Sequence, residues 1–406
     1  MLHARRRGVG VMLALCCCAT AVRAAAAQTS DPERAPLTLG PAALWPTLVL
    51  RGIGIDDNVF NEAENPKRDF TFTAVPHLET VLRPPRTHLS FQTGAEFVYF
   101  RDYADERHIN RTVGARVEFD LTRFHPFAAA TATRFRERPS AEIDLRARNR
   151  THSYTAGVRL PFGPVVSATV AARRQTSRYD PGQEFRGSDL DLELNSETRG
   201  IDGTLAFQVT PITAVSVIVS RDEDRFELSR LRDSDSLRVS PTVTFTPLGA
   251  FSGSAFVGWR RFDAADPAIA DYSGLVAGGT VGVHIVDRYH VEASFSRDVR
   301  YSYERATPTY LWLSGRGALR MDLFGGVDVR LGGGRDVIDY RARLDADGLV
   351  PRDTVVSYGG GLGYSIGQRL RLAVDGERST RRSALPLRGY TGNRVFGSLT
   401  WRVRQP

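Results

Sequence analysis

Between Ser196 and Asp222 the chain alternates apolar and polar positions twice. Ile201, Gly203, Leu205, Phe207 and Val209 fall on one side, with Asp202, Thr204, Ala206 and Gln208 between them. After Thr210-Pro211 the alternation resumes, with Val215, Val217 and Val219 set against Ser216, Ile218 and Ser220. A period of two marks strands that are apolar on one face only. The segment therefore reads as a long hairpin, tight at one end and strongly charged at the other, where Arg221-Asp222-Glu223-Asp224-Arg225 begins.

The unit recurs. Leu89, Phe91, Thr93, Ala95, Phe97 and Tyr99 oppose Ser90, Gln92, Gly94 and Glu96, and Val113, Ala115, Val117, Phe119 and Leu121 oppose Thr112, Gly114, Arg116, Glu118 and Asp120. A first strand is expected over residues 44–56 and a last over 390–403. Tight joins are expected at Pro84-Pro85, His125-Pro126, Gly163-Pro164, Thr210-Pro211, Leu248-Gly249, Asp287-Arg288, Phe324-Gly325 and Gly367-Gln368. They alternate with longer polar loops, of which 180–195 is long and acidic. Short turns at one end and long loops at the other are the habit of outer-membrane barrels.

Backbone chemistry favours closure. In hydrocarbon every N–H and C=O must be paired, so a sheet crosses a membrane only when it has no edge. The expected fold is all-β: a transmembrane antiparallel up-and-down β-barrel of about 18 strands, with 16 as the alternative count. An even count places both termini at the same end, expected to be periplasmic. Aromatics near the joins (Phe124, Phe127, Phe162, Phe251, Tyr289, Phe324) and near the loops (Tyr99, Phe100, Tyr179, Trp259, Tyr272, Tyr301, Tyr310, Trp312, Tyr390) suggest two interfacial belts.

The first 27 residues have another character. Arg5-Arg6-Arg7, an apolar run from Gly8 to Ala21 and Ala25-Ala26-Ala27 form the pattern of a secretory signal peptide. Residues 28–43 are read as a periplasmic leader and 44–406 as the barrel. The three cysteines, Cys16 to Cys18, all lie in the signal segment, which removes any disulfide framework from the mature chain. Four arginines of the formal +8 also lie there with no acid, leaving +4, a balance that gives no reason to expect a nucleic-acid partner.

At Asp56-Asp57-Asn58-Val59-Phe60, ending the first strand, the sequence resembles the putative β-barrel porin-2 type of outer-membrane proteins, members of which often carry a run like Asp57, Asn58, Val59 and Phe60. The resemblance implies a barrel associated with exopolysaccharide synthesis and export, with polysaccharide and other export components as partners beside outer-membrane lipid. One departure is that the chain continues past Trp401 through Arg402-Val403-Arg404-Gln405-Pro406, where many such barrels end on an aromatic residue.

Candidate chemistry is sparse. His77, His88, His108, His125, His152, His284 and His290 stand in no GxSxG or HExxH setting, so no enzyme, cofactor or catalytic residue is expected. Asp189-Leu190-Asp191, Asp233-Ser234-Asp235 and Asp56-Asp57-Asn58 offer oxygen ligands without a complete calcium-loop spacing, and read as solvated loops with no metal. Gly332-Gly333-Gly334 and Gly359-Gly360-Gly361, with no helix behind them, read as points where strands bend.

With the apolar phase towards lipid, the opposite phase puts Glu96, Arg116, Glu118, Asp120, Asp202, Trp312, Arg316, Arg320, Asp322, Asp328, Arg330 and Arg371 towards the lumen. Charges of both signs on a pore wall set ion selectivity and guide polar solutes. The expected function is an outer-membrane channel for a hydrophilic solute. A non-conducting docking barrel, whose loops bind a surface polymer or protein, is the competing class. A barrel hydrolase comes third.

Overall fold

The computed structural model describes residues 37–246, 249–286, 288–345, 351–367 and 369–402. The signal segment, residues 28–36 of the leader, and Leu248, Asp287, Gln368 and Val403 of the expected joins and last strand lie outside the described residues.

Eighteen long strands form one closed antiparallel sheet among the described residues. They are β1 (Ala42–Asp56), β2 (Asp69–Leu82), β3 (Thr87–Phe100), β4 (His108–Phe119), β5 (His125–Glu137) and β6 (Ala147–Phe162). Next come β7 (Val166–Tyr179), β8 (Ser196–Thr210), β9 (Thr213–Phe226), β10 (Ser234–Phe245), β11 (Phe251–Ala264) and β12 (Tyr272–Ile285). The ring ends with β13 (Tyr289–Tyr301), β14 (Thr309–Asp322), β15 (Val327–Arg341), β16 (Arg352–Ile366), β17 (Leu370–Ser383) and β18 (Tyr390–Arg402). Each strand pairs with its sequence neighbours, and β1 pairs with β18 from Thr47↔Arg402 to Asp56↔Arg394, so no edge is left.

Connections of two to five residues alternate with connections of six to sixteen along the whole chain. Both ends of the ring start from the short-turn side, where Leu37–Leu39 folds back on Ala42–Leu44. The expected turn at His125-Pro126 is displaced. These two residues open β5, and the turn is 120–124, where the Asp120 amide donates to the Arg86 carbonyl (2.8 Å). Pro126 is the second residue of β5, and pairing with β4 begins only at Phe127, opposite Glu118, so a proline is tolerated at this end of the strand. The two glycine runs lie in an uninterrupted register, with Gly332 facing Gly359. The register slips at Gly52 instead, between Leu50 and Ile53, where the backbone takes φ +63°, a left-handed value that glycine adopts without strain.

The alternation sets two faces. Ile201, Leu205, Phe207, Val217 and Val219 are exposed on the outside, while Gly200, Asp202, Ser220 and Asp222 turn inwards. An exposed apolar wall of this extent suits hydrocarbon and not water. No helix among the described residues is long and apolar enough to cross a membrane, so the crossing is made by strands.

The aromatics divide differently from the expected two belts. Phe124, Phe162, Phe251, Tyr289 and Phe324 are exposed near the short turns. Near the long loops, Trp259 is exposed, but Phe100, Tyr310 and Trp312 are buried, and Tyr301 reaches Asp224 and Ser234. These rings fill the interior at that end because the long loops fold over them.

Candidate functional site

The inner wall carries charges in small clusters. Asp328, at the start of β15, is 1 % exposed and accepts two hydrogen bonds from Arg371 on β17, at 2.6 and 2.8 Å. Arg330 and Arg320 approach the same carboxylate at 3.5 and 3.8 Å, and Arg320 also pairs with Asp322, which meets His290 at 3.0 Å. Gly363 of β16 makes the cluster possible, because a Cβ there would overlap both the Arg371 guanidinium and the Asp328 carboxylate. Higher on β14 and β15, Asp336 accepts from Arg316 (2.5 Å) and from the Trp312 indole (3.2 Å).

Across the ring, Arg173 on β7 bridges Asp202 (2.9 Å) and Asp222. Arg238 and Arg260 hold Asp298 at 2.7 and 2.8 Å, and Arg51 holds Glu96 at 2.8 Å. Near the short turns Glu118 lies between Arg116 and Arg159, each at 2.9 Å. Asp120 beside it is 2.5 Å from the His88 imidazole and 2.9 Å from that of His125. Glu118, Asp120 and His125 offer ligand atoms within 4.8 Å of one another, the arrangement among the described residues that could hold a cation. The two arginines on Glu118 compete with any such ion.

The structure therefore brings Arg320, Asp322, Asp328, Arg330 and Arg371 into one cluster and Arg116, Glu118 and Asp120 into a second, while Glu96, Asp202 and the Trp312–Arg316 pair stand apart. Sequence reasoning missed Arg51, Arg173, Asp222, Arg238, Arg260, Asp298 and Asp336. Asp222, Arg238, Arg260, Asp298 and Asp336 carried a usable signal, since each is a charge on the polar phase of a strand.

A second feature has no strand period. Residues 138–146, between β5 and β6, reach across the interior to strands nine places away on the ring. Ala141 packs on Tyr310, Trp312, Ile338 and Tyr340 of β14 and β15. The Ser302 hydroxyl donates to the Glu142 carboxylate (2.5 Å), and Arg388 and Arg381 donate to the Glu142 carbonyl at 3.0 and 3.3 Å. Arg381 also pairs with Asp144 (2.7 Å) and with the buried Asp353 (2.5 Å). Ile143 joins Leu190 and Tyr303 in a small apolar core with the loop 180–195, which contains a one-turn helix, Leu190–Leu194, where a plain loop was expected. Glu193 from that helix pairs with Arg232 and Arg305. Burial pushes the Glu142 carboxyl up to about 7.

The Asp57 to Phe60 run ties this strap to the seam of the barrel. Asp57 accepts from the Asn393 amide and side chain on β18 (2.7 and 2.8 Å), and the Asn58 side chain donates to the Thr391 carbonyl (3.1 Å). The Val59 carbonyl accepts from Arg138 (2.9 Å) and Arg146 (2.6 Å), the two ends of the strap, and Phe60 meets Tyr103 edge to face. The Asp-rich loops are equally occupied. Asp233 accepts from the Phe226 amide (2.7 Å), Asp56 from the Asn58 amide (3.0 Å), and Leu190 is fully buried between Asp189 and Asp191.

A closed ring of eighteen antiparallel strands, apolar outside and charged inside, defines an outer-membrane barrel of the porin type. The chain belongs to the family described as Putative beta-barrel porin 2, whose model matches residues 38–403. Porins are channels and not enzymes, and the exposed outer wall is in contact with membrane lipid. No curated protein matches the chain. Among solved structures, OccK3 (OpdO) of Pseudomonas aeruginosa is 13% identical, with 89% of this chain and 96% of that one covered and a TM-score of 0.46. OccK2 (OpdF) of Pseudomonas aeruginosa, in complex with glucuronate, is 11% identical, with 89% and 98% covered and a TM-score of 0.49. A BenF-like porin from Pseudomonas fluorescens Pf-5 is 10% identical, with 88% and 98% covered and a TM-score of 0.47.

Proposed function

We propose that the barrel conducts a hydrophilic solute, with an exported polysaccharide as the class that the family resemblance implies. Glu96, Arg116, Glu118, Asp120, Asp202, Trp312, Arg316, Arg320, Asp322, Asp328, Arg330 and Arg371 line its conduit, and the strap 138–146 sets its width. The observation that carries this reading is the inner wall itself. Guanidinium and carboxylate groups pair across the strands there, as in Arg51–Glu96, Arg173–Asp202 and Arg238–Asp298, so a hydroxyl-rich chain finds donors and acceptors along the wall. Export components on the periplasmic side would then deliver the polymer. In this reading the long loops face outwards, both termini are periplasmic, residues 1–27 are removed as a signal peptide, and 28–43 form the leader.

The test is single-channel conductance of the refolded protein in a planar bilayer. Open steps that an acidic polysaccharide blocks from one side support the reading. Stable insertion without conductance, repeated after removal of residues 139–145, sinks it. That result would favour the second reading, a docking barrel, which the dense packing of loops around Glu142 and Glu193 supports.

A further inference from the structure

The outer wall carries a feature that conduction does not use. On β4 to β7, Arg111 faces Arg134, Arg134 faces Arg150, and Arg150 faces Arg178, each directly across the ladder. All four point outwards, in phase with the lipid-facing rows. Like charges directly opposite each other destabilise a sheet unless something of opposite sign lies between them. Nearby, Arg174 faces Arg199 across β7 and β8, and Arg221 follows on β9.

The local carboxylates do not balance this set. Asp180 serves Arg134 and Arg150, Glu197 serves Arg174 and Arg199, and Glu227 meets Arg178. With Glu223 that makes four acids against seven guanidiniums. The surplus lies towards the long-loop end of the strands.

Beside it the barrel wall is hollowed from outside. A concavity of about 960 Å³ runs across β3 to β9, with Phe91, Ala115, Ala130, Tyr154, Ala156 and Ala172 on its surface. Arg174, Arg199 and Arg221 line the same hollow, with the single carboxylate Glu223 beside them. Small side chains leave depth, and in a membrane that depth is filled by acyl chains. An apolar hollow edged by unbalanced arginines matches a molecule with hydrocarbon tails and an anionic head. Guanidinium forks pair with phosphate oxygens two at a time.

We propose that this outer face of β3 to β9 is a binding site for a phosphorylated, multiply acylated lipid, its tails in the hollow and its phosphates on Arg174, Arg199 and Arg221. The row from Arg111 to Arg178 would receive neighbouring headgroups of the same kind. The proposal is independent of whether the barrel conducts. Its choice of probe, lipid A, rests on the long loops facing the outer leaflet.

The mature chain is refolded in detergent, and binding of bis-phosphorylated lipid A is followed by native mass spectrometry. Heat-modifiable migration on a gel establishes that each variant has folded. The triple variant Arg174→Gln, Arg199→Gln, Arg221→Gln is expected to bind at least about tenfold more weakly, since each charged hydrogen bond contributes more than an ordinary one. Lipid A lacking its phosphates should show the same loss on the unaltered protein. Ala156→Trp, which fills the hollow and keeps every arginine, should also weaken binding. Equal affinity of the triple variant, or of the dephosphorylated lipid, overturns the site. Competition by inorganic phosphate as strong as that by the lipid would reduce it to simple anion capture and also overturn it.

Discussion

Val217 and Ser216 are neighbours with opposite surroundings. Val217 is exposed on the outer wall in mid-strand, and Ser216 points inwards. Val217→Arg should cost roughly 2–4 kcal/mol of folding stability in bilayers, because its charge has no water to reach, while Ser216→Arg should cost little. Denaturant midpoints in lipid vesicles check this, and equal midpoints would mean that the phase is wrong. Asp328 gives a sharper case on the inner wall. It neutralises Arg371 and stands close to Arg320 and Arg330. Asp328→Ala leaves three guanidiniums facing one another and should cost about 3–5 kcal/mol, as loss of one partner from a buried ion cluster does. The same variant should shift ion preference towards anions, read as a reversal potential. Which face Asp328 takes was legible from the period of two. Its partner was not, because Arg371 lies 43 residues away on a strand that the sheet brings near only after the intervening hairpin has formed.

At the scale of elements, strands and turns were legible and the strap was not. A strand announces itself by alternation, and a long loop by polarity alone. Residues 138–146 look like any charged connection in the sequence, and their route across the interior is decided by partners from Val59 to Arg388. The same ignorance misplaced the loop-side aromatics. Tyr310 seemed fit for a membrane interface, but it faces inwards beside Trp312, which the polar phase had also placed towards the lumen, and Ala141 packs on their cluster. The strap should respond to pH with a definite sign. Burial raises the Glu142 carboxyl from 4.5 to about 7, so the seated strap holds a proton that the released strap gives up. The contribution of Glu142 to the seat is therefore full below pH 4.5 and fades as pH rises from there to about 7. Hydrogen exchange over 138–146, corrected for its intrinsic pH dependence, should be faster at pH 8 than at pH 5. Glu142→Gln should make the two alike, and a wild-type seat that tightens with rising pH would refute the assignment.

For the whole molecule, the strict alternation of short and long connections gave the strand count and puts the start of β1 and the end of β18 on one side, but it does not by itself say which side faces the cell exterior. In the proposed orientation the long loops are the set that crosses the bilayer, and their buried core at Leu190 and Ile143 lies on the outer side. The absence of cysteine outside positions 16–18 makes this testable with single labels. Gln183→Cys, in the loop before the one-turn helix, should react with a membrane-impermeant maleimide on intact cells. Gly163→Cys, in a three-residue turn, should react only after the outer membrane is permeabilised. The reverse pattern would invert the barrel. It would also bring the arginine-edged hollow near the inner leaflet, where a different set of phosphorylated lipids would be its partners.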